Sequence, residues 1–364
     1  MRTVATVPSE LLTLAGTQEG LLSAQQCDEH GVGSHRRSRL VSQGRWQKVT
    51  HAVLDTIVAP PRDRDGPRRH EHLRRRAAWL GLLAYGTDAI AVGPCALVLL
   101  GVEGVRTDVR PEVALPGACA GRSRDGILLR QFDDGMTVTQ IEGRWVATPD
   151  WALAQAVPEM GRMRAIAAMD SARHRGLLSA EGLAHAHDLA RGRRGVARTH
   201  PWWGQSDGRA ESPLETFARL DCTDSGIAPD DLQVEVVDDG RFLGRGDLGW
   251  RLPGGRWLIA ELDGVDVHSE PAALLRDRAR QNDLVACGAV DLLRFTGRDV
   301  TTPGSPRPGR LVTDVRRHLA RARHHRRRAR HEGCYGPDND PHVVLGGAGW
   351  GRARAAAVIG RTGE

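Results

Sequence analysis

Three carboxylates near the middle of the C-terminal half have types and spacing suited to phosphoryl chemistry: Asp247, Glu261 and Asp263. Glu261 and Asp263 close the run Arg256-Trp257-Leu258-Ile259-Ala260-Glu261-Leu262-Asp263, which stops at Gly264. A strand of period two puts Trp257, Ile259, Glu261 and Asp263 on one face, so two acids end an otherwise apolar row. Like charges buried together are costly unless a proton or a cation offsets them. A hard divalent ion such as magnesium takes oxygen ligands, and two or three carboxylates with water supply them. That ion would activate water and neutralise charge on a phosphoryl group. The spacing is equally that of acids lying in solvent at strand ends, and alone it leaves both readings open.

The elements that must hold these acids are legible around them. Ser212-Pro213-Leu214-Glu215-Thr216-Phe217-Ala218-Arg219-Leu220 starts a helix with Leu214, Phe217 and Leu220 on its apolar stripe and Glu215 off it. Strands are expected over Gln233 to Val237 and Arg241 to Trp250, joined by the turn Asp238-Asp239-Gly240, with Asp247 late in the second. A further helix, strand and helix follow up to about Ala320. Arg276, Arg280 and Arg294 are candidates for phosphate contact, or else for ion pairs with Asp277, Asp283 or the acid cluster itself.

The combination SPLETFARL, the Asp-Leu of GDLGW, AELDGVDVH, RDRARQNDL and LLRFTGRDV, spanning most of 90 residues from Ser212, resembles the very-short-patch-repair endonuclease-like domain of the PD-(D/E)XK superfamily. The resemblance implies a restriction-endonuclease-like mixed sheet flanked by helices, with Asp247 and Glu261 as magnesium ligands and Glu215 as an auxiliary acid. It puts Asp263 where many relatives carry lysine; this segment has no lysine at all. His268, five residues after Asp263, is a candidate proton-transfer group because imidazole titrates near neutrality.

At the other end, Ser9 is expected to cap a first helix and Ser23 a second, and Ser34 to Val41 forms a basic third helix stopped by Gly44. Arg45 to Val49 and Ala52 to Leu54 read as paired strands. Three short helices and a hairpin make a winged helix-turn-helix. The pattern "L…A…GLLSAQQ" followed by a basic helix and "GRWQKV", about 50 residues, resembles the N-terminal domain of AbiEi-type antitoxins. That implies operator DNA binding through His35, Arg36, Arg37 and Arg39, the alternative being a solvated helix face, and it raises a nucleotidyltransferase-type toxin as a partner.

The chain has 364 residues and a formal charge of +6. All but one of its 51 basic residues are arginine, Lys48 being the exception. Arginine suits bidentate phosphate contact, so a polyanionic partner is consistent with the charge. The six cysteines have neither Cys-x-x-Cys nor zinc-type spacing and read as reduced structural thiols. The N-terminus lacks signal-peptide features, which implies a cytoplasmic protein. The apolar stretch from Ala77 to Val105 is broken by Asp88 and Pro94, short of the roughly 20 residues of a membrane span.

Residues 60–69 read as a linker. Helical patterns at 72–85 and 149–191 flank strand candidates at Glu112 to Leu115 and Gly126 to Leu129, with no catalytic pattern and with His174, His185 and His187 as surface or core fillers. From Arg307 to His331 come ten arginines and four histidines over an apolar stripe of Leu311, Val312, Val315, Leu319 and Ala322. Its outer half is either a phosphate-binding or a merely solvated helix end.

The sequence therefore predicts a mixed α+β, α/β multidomain protein. Its parts are a winged helix over 1–60, a mixed α/β region over 70–205, an endonuclease-like domain over 209–325 and a basic, then disordered tail over 326–364. The function expected is DNA binding coupled to magnesium-dependent endonuclease-like cleavage. The alternative is a non-catalytic, antitoxin-like regulator that keeps the nuclease-type fold as a scaffold. Oligomeric state is left open.

Overall fold

The computed structural model describes residues 6–57, 69–119, 121–132, 135–264, 282, 284, 286–301 and 307–331. The chain is a mixed α/β multidomain protein, and its described residues form three separate sheets. It divides into two compact units, Met1–Gly208 and Arg209–Glu364.

The first unit begins with α1 (Ser9–Thr17), β1 (Leu21–Ser23), α2 (Ala24–Glu29), α3 (Ser34–Ser42), β2 (Gln47–Lys48) and β3 (Val53–Asp55). The strands form an antiparallel sheet in the order β1-β3-β2. Leu11, Ala15, Leu22, Cys27, Val32, Leu40, Trp46 and Leu54 make one small core beneath it. Ser23 caps α2 as expected, through a reciprocal box in which its hydroxyl accepts from Gln26 N and its own N–H donates to the Gln26 side chain. Ser9 does not cap α1. The Leu12 N–H already reaches the Pro8 carbonyl, so the helix begins one residue early and Pro8 takes the cap position.

Buried ion pairs fasten this segment to α4 (Arg69–Tyr85). Glu19 bonds His72 and Arg75 at 2.6 and 2.9 Å, and Asp55, almost fully enclosed, pairs with Arg76 at 2.7 Å. The residues between, 58–68, which hold most of the expected linker, lie outside those described.

Beyond α4 a five-stranded sheet has the order β6-β5-β4-β8-β7. Its strands are β4 (Ile90–Ala91), β5 (Glu112–Ala114), β6 (Leu128–Arg130), β7 (Val138–Ile141) and β8 (Arg144–Ala147). The helices are α5 (Gly93–Leu99), α6 (Pro149–Ala156), α7 (Arg162–His174), α8 (Ala180–Leu189) and α9 (His200–Trp203). The helical pattern at 149–191 thus resolves into three helices, broken around Pro158 and at Gly176.

The second unit consists of α10 (Pro213–Asp224), β9 (Asp231–Asp238), β10 (Arg241–Arg251), β11 (Trp257–Asp263), β12 (Val290–Thr296) and α11 (Arg310–His331). The sheet order is β12-β11-β10-β9, antiparallel except for the parallel β11/β12 pair. Asp239 and Gly240 have φ of 47° and 77°, both positive, as a two-residue hairpin turn matching the strand twist requires. One sheet face packs Leu248, Trp250, Leu258, Ala260 and Phe295 against α10 and α11 through Ala218, Cys222, Leu311, Val312 and Val315. On the other lie Val234, Val236, Trp257, Ile259, Leu284 and Val290. Most of the expected helix after β11, and residues 332–364 of the tail, lie outside the described residues. No helix among the described residues is long and apolar enough to cross a membrane.

Candidate functional site

The acids meet at a fork in the second unit's sheet. Backbone pairing between β10 and β11 runs from Arg251↔Trp257 to Leu248↔Ala260. At the next step the Asp247 side chain replaces the ladder: its Oδ2 accepts the Leu262 N–H at 2.7 Å. Asp247 is therefore held in the opening between two strands by a charge-assisted bond to backbone.

Glu215 reaches the same place from α10. Ser212 is the N-cap, accepting from Glu215 N and donating its hydroxyl to Glu215 Oε1 at 2.8 Å. Glu215 Oε2 accepts from Glu211 N at 2.9 Å and from Gln233 Nε2 at 2.7 Å. Glu215 was expected off the helix's apolar stripe, and the structure buries it all the same, because the cap folds its side chain back over the helix start toward β9. Gln233 carries no signal in sequence. It sits in β9 at a φ of 53°, between the pairs Leu232↔Leu248 and Val234↔Gly246.

Burial raises the Glu215 carboxyl above its ordinary range, against the lowering effect of its hydrogen bonds. It raises Asp247 to about 6, with the charges of Glu215, Glu211 and Asp263 adding to the effect and the Leu262 N–H opposing it.

Glu261 and Asp263 lie on a common face as the strand period predicts, since one guanidinium spans both. Arg294 stands opposite Glu261 in the parallel β11/β12 register. Its Nη2 and Nε bond Asp263 at 2.6 and 2.9 Å, and its Nε lies 3.7 Å from Glu261 Oε2. Of the two roles open to Arg294 in sequence, the structure displays the ion pair with the acid cluster. Asp247 thus feels the charges of Glu215 and Asp263, and Arg294 of β12 spans Asp263 and Glu261. Among the described residues no group of three or more His, Cys, Asp or Glu side chains is placed to hold a metal ion. His268, Arg276 and Arg280 lie outside the described residues.

In the first unit, α3 exposes His35, Ser38, Arg39 and Ser42, spaced to form one solvent stripe. Lys48 and His51 are exposed on the β2–β3 hairpin beside it in sequence. Arg37, expected on the same basic face, is turned inward: its Nη1 bonds the Ala24 and Val32 carbonyls at 3.2 and 2.9 Å and Asp28 at 2.5 Å. The helix period separates it from the 35/39 stripe, and a carbonyl at the start of α2 and one in the α2–α3 turn supply its partners. Arg36 is partly covered and bonds the Thr6 carbonyl at 2.7 Å.

No family model matches the chain. Two Mycobacterium tuberculosis proteins, the uncharacterized proteins MT2308 (strain CDC 1551) and Rv2248 (strain H37Rv), are each 32% identical to it over 189 residues, covering 52% of this chain and 67% of theirs.

Proposed function

The chain belongs to the same family as these two mycobacterial proteins, and we propose that it is a DNA-binding protein whose C-terminal unit cleaves phosphodiesters with the help of a divalent cation. The observation that carries this reading is the desolvated acid cluster at the strand fork, with Asp247 raised to about 6 by burial and neighbouring negative charge. Such a concentration of carboxylates is offset by protons or by cations. The donor set is all oxygen, which fits magnesium rather than a softer metal.

Asp247 and Glu261 would hold the ion, which when bound supplies charge neutralisation at the phosphoryl group and activation of water. The chain's own groups do the rest. Leu262 N–H orients Asp247, the Ser212 cap and Gln233 fix Glu215 behind it, and Arg294 steadies Asp263 and Glu261 on the open face. At the N-terminus, the order α1-β1-α2-α3-β2-β3 supports reading the segment as a winged helix, with His35 and Arg39 toward the groove and Lys48 and His51 toward phosphate.

A second reading is favoured by Arg294. Its paired bonds to Asp263 give the cluster a built-in cation, as a non-catalytic scaffold would need. In that reading the protein is an antitoxin-like regulator, and a nucleotidyltransferase-type toxin is its natural partner.

Plasmid nicking with and without magnesium separates the two. Cleavage that is abolished in Asp247→Asn and in Glu261→Gln supports the enzyme, and the same trace activity in parent and variants ends that reading. Fluorescence anisotropy with duplex DNA tests the N-terminal assignment. Arg39→Ala should weaken binding and flatten its salt dependence, and unchanged binding would refute it.

A further inference from the structure

The first unit carries a candidate site of its own. A cleft of about 400 Å³ opens between α2, the C-terminal end of α4 and the β7–β8 turn. That volume falls within the roughly 300–1,000 Å³ typical of small-molecule sites. Leu14, Ala52 and Leu83 give it an apolar wall, Gln25 and Tyr85 polar edges, Arg144 a cationic end, and Glu29 a carboxylate on the rim.

Arg144 is unusual among the arginines of this unit. It is half-buried, and among the described residues its single hydrogen bond is a long one, Nη1 to the Gly86 carbonyl at 3.4 Å. No described carboxylate forms an ion pair with it. The acid whose charge reaches it is Glu29, an exposed residue of α2 whose Oε1 accepts from Gln25 Nε2 at 2.9 Å. Burial pulls the guanidinium below its ordinary pKa, and Glu29 only partly opposes this. Other partly buried guanidiniums of the unit have a carboxylate, as Arg75, Arg76 and Arg130 do, or a shorter bond to a carbonyl, as Arg74 and Arg173 do at 3.2 and 2.9 Å.

A half-buried cation with one long bond to protein gains most from an anion that meets it inside the cleft. The planar fork of arginine is suited to a carboxylate, which it can hold through two parallel bonds. We propose that this cleft binds a small organic carboxylate, its acid group on Arg144 and its apolar body against Leu14, Ala52 and Leu83. The ligand would rest directly on α2, the helix whose Ala24 carbonyl and Asp28 side chain hold Arg37 of α3. Its binding does not depend on the nuclease or DNA-binding readings.

Isothermal calorimetry on the full chain, with phenylacetate, its neutral amide and inorganic phosphate as probes, tests this without DNA or metal. Phenylacetate is expected to bind about tenfold or more tightly than phenylacetamide, the discrimination of one charge-assisted pair. Arg144→Gln should remove that preference, and Arg144→Lys, which keeps the charge but loses the fork, should retain part of it. Thermal melts establish that the variants fold, and the carboxylate–amide comparison on the parent protein stands even where they do not. The assignment is overturned by equal affinity for acid and amide, by an unchanged preference in a folded Arg144→Gln protein, by binding of phosphate alone, or by no heat from any probe.

Discussion

Replacing Arg294 with glutamine tests how the acid cluster is neutralised. The Asp263 pair is about one-third exposed on both sides, at 34% each, so solvent screening limits its contribution to about 1 kcal/mol at most. Glu261 is different: its side chain is 7% exposed, and Arg294 Nε lies 3.7 Å from it. Weakening the counter-charge of a nearly buried carboxylate costs on the order of 1–3 kcal/mol, so the variant should lose about 2–3 kcal/mol in total. For a unit of this size that lowers the melting temperature by about 4–12 °C. Magnesium supplies the second half of the test. The variant's cluster lacks one positive charge and should bind the ion more tightly than the parent's. At about ten times its dissociation constant the ion would return about 1.4 kcal/mol. The assay is thermal unfolding of both proteins with magnesium chloride and with sodium chloride at matched ionic strength. A variant as stable as the parent refutes the neutralising role of Arg294. A destabilised variant that gains no more from magnesium than the parent does refutes the cation site and leaves the scaffold reading.

Three further substitutions probe the fold. Glu112, enclosed beside Arg130, has its carboxyl raised from 4.5 to about 7 by burial, with Arg130 opposing. Between these values the folded state holds more protons than the unfolded one, so stability falls as pH rises through that window. Glu112→Gln should remove up to about 3 kcal/mol of that decline, read from urea unfolding at several pH values, and a parent–variant difference that does not change with pH would contradict the assignment. Ser23→Ala breaks the α2 capping box and should cost about 1 kcal/mol; indistinguishable denaturation midpoints would show that the cap contributes nothing. Gly104 has a φ of 88°, and a Cβ there would lie 2.8 Å from the Ala168 backbone nitrogen. Gly104→Ala should therefore destabilise the first unit by about 1–3 kcal/mol, and a melting temperature within error of the parent's would show that the loop gives way.

What could be read in the sequence was local. The Asp239-Gly240 turn, the end of β11 at Gly264 and the cap at Ser23 each depend on a few neighbouring residues, and each lies where the pattern put it. Strands of two or three residues, such as β1 and β4, are too short to show a period and exist because β3 and β8 pair with them. Arg37 could not be told from its basic neighbours, since its inward turn depends on carbonyls at the start of α2 and in the α2–α3 turn. The acids were visible one by one. How they are held was not, because Asp247 is fixed by Leu262, fifteen residues away on another strand, and Glu215 by Gln233 of β9. Arg144 gave no signal, since its lack of a carboxylate ion pair among the described residues is a property of the folded cleft.

The energetics of the fork bear on which function it serves. Glu215, Asp247 and Glu261 are all mostly hidden from water, and burial drives the carboxyls of the first two upward. At neutral pH Asp247, raised only to about 6, is still largely ionised, so protonation alone does not remove its charge. Arg294 neutralises Asp263 first and reaches Glu261 only at longer range, while Asp247 and Glu215 are held by neutral donors: a backbone N–H, a serine hydroxyl and a glutamine amide. Neutral donors orient a carboxylate without cancelling its charge. A scaffold with no use for that charge would be better served by apolar side chains of the same size, since buried ionic groups commonly add little or nothing to stability. Fixed orientation with the negative charge retained is what a cation-binding site requires, and this favours the phosphodiesterase reading over the scaffold.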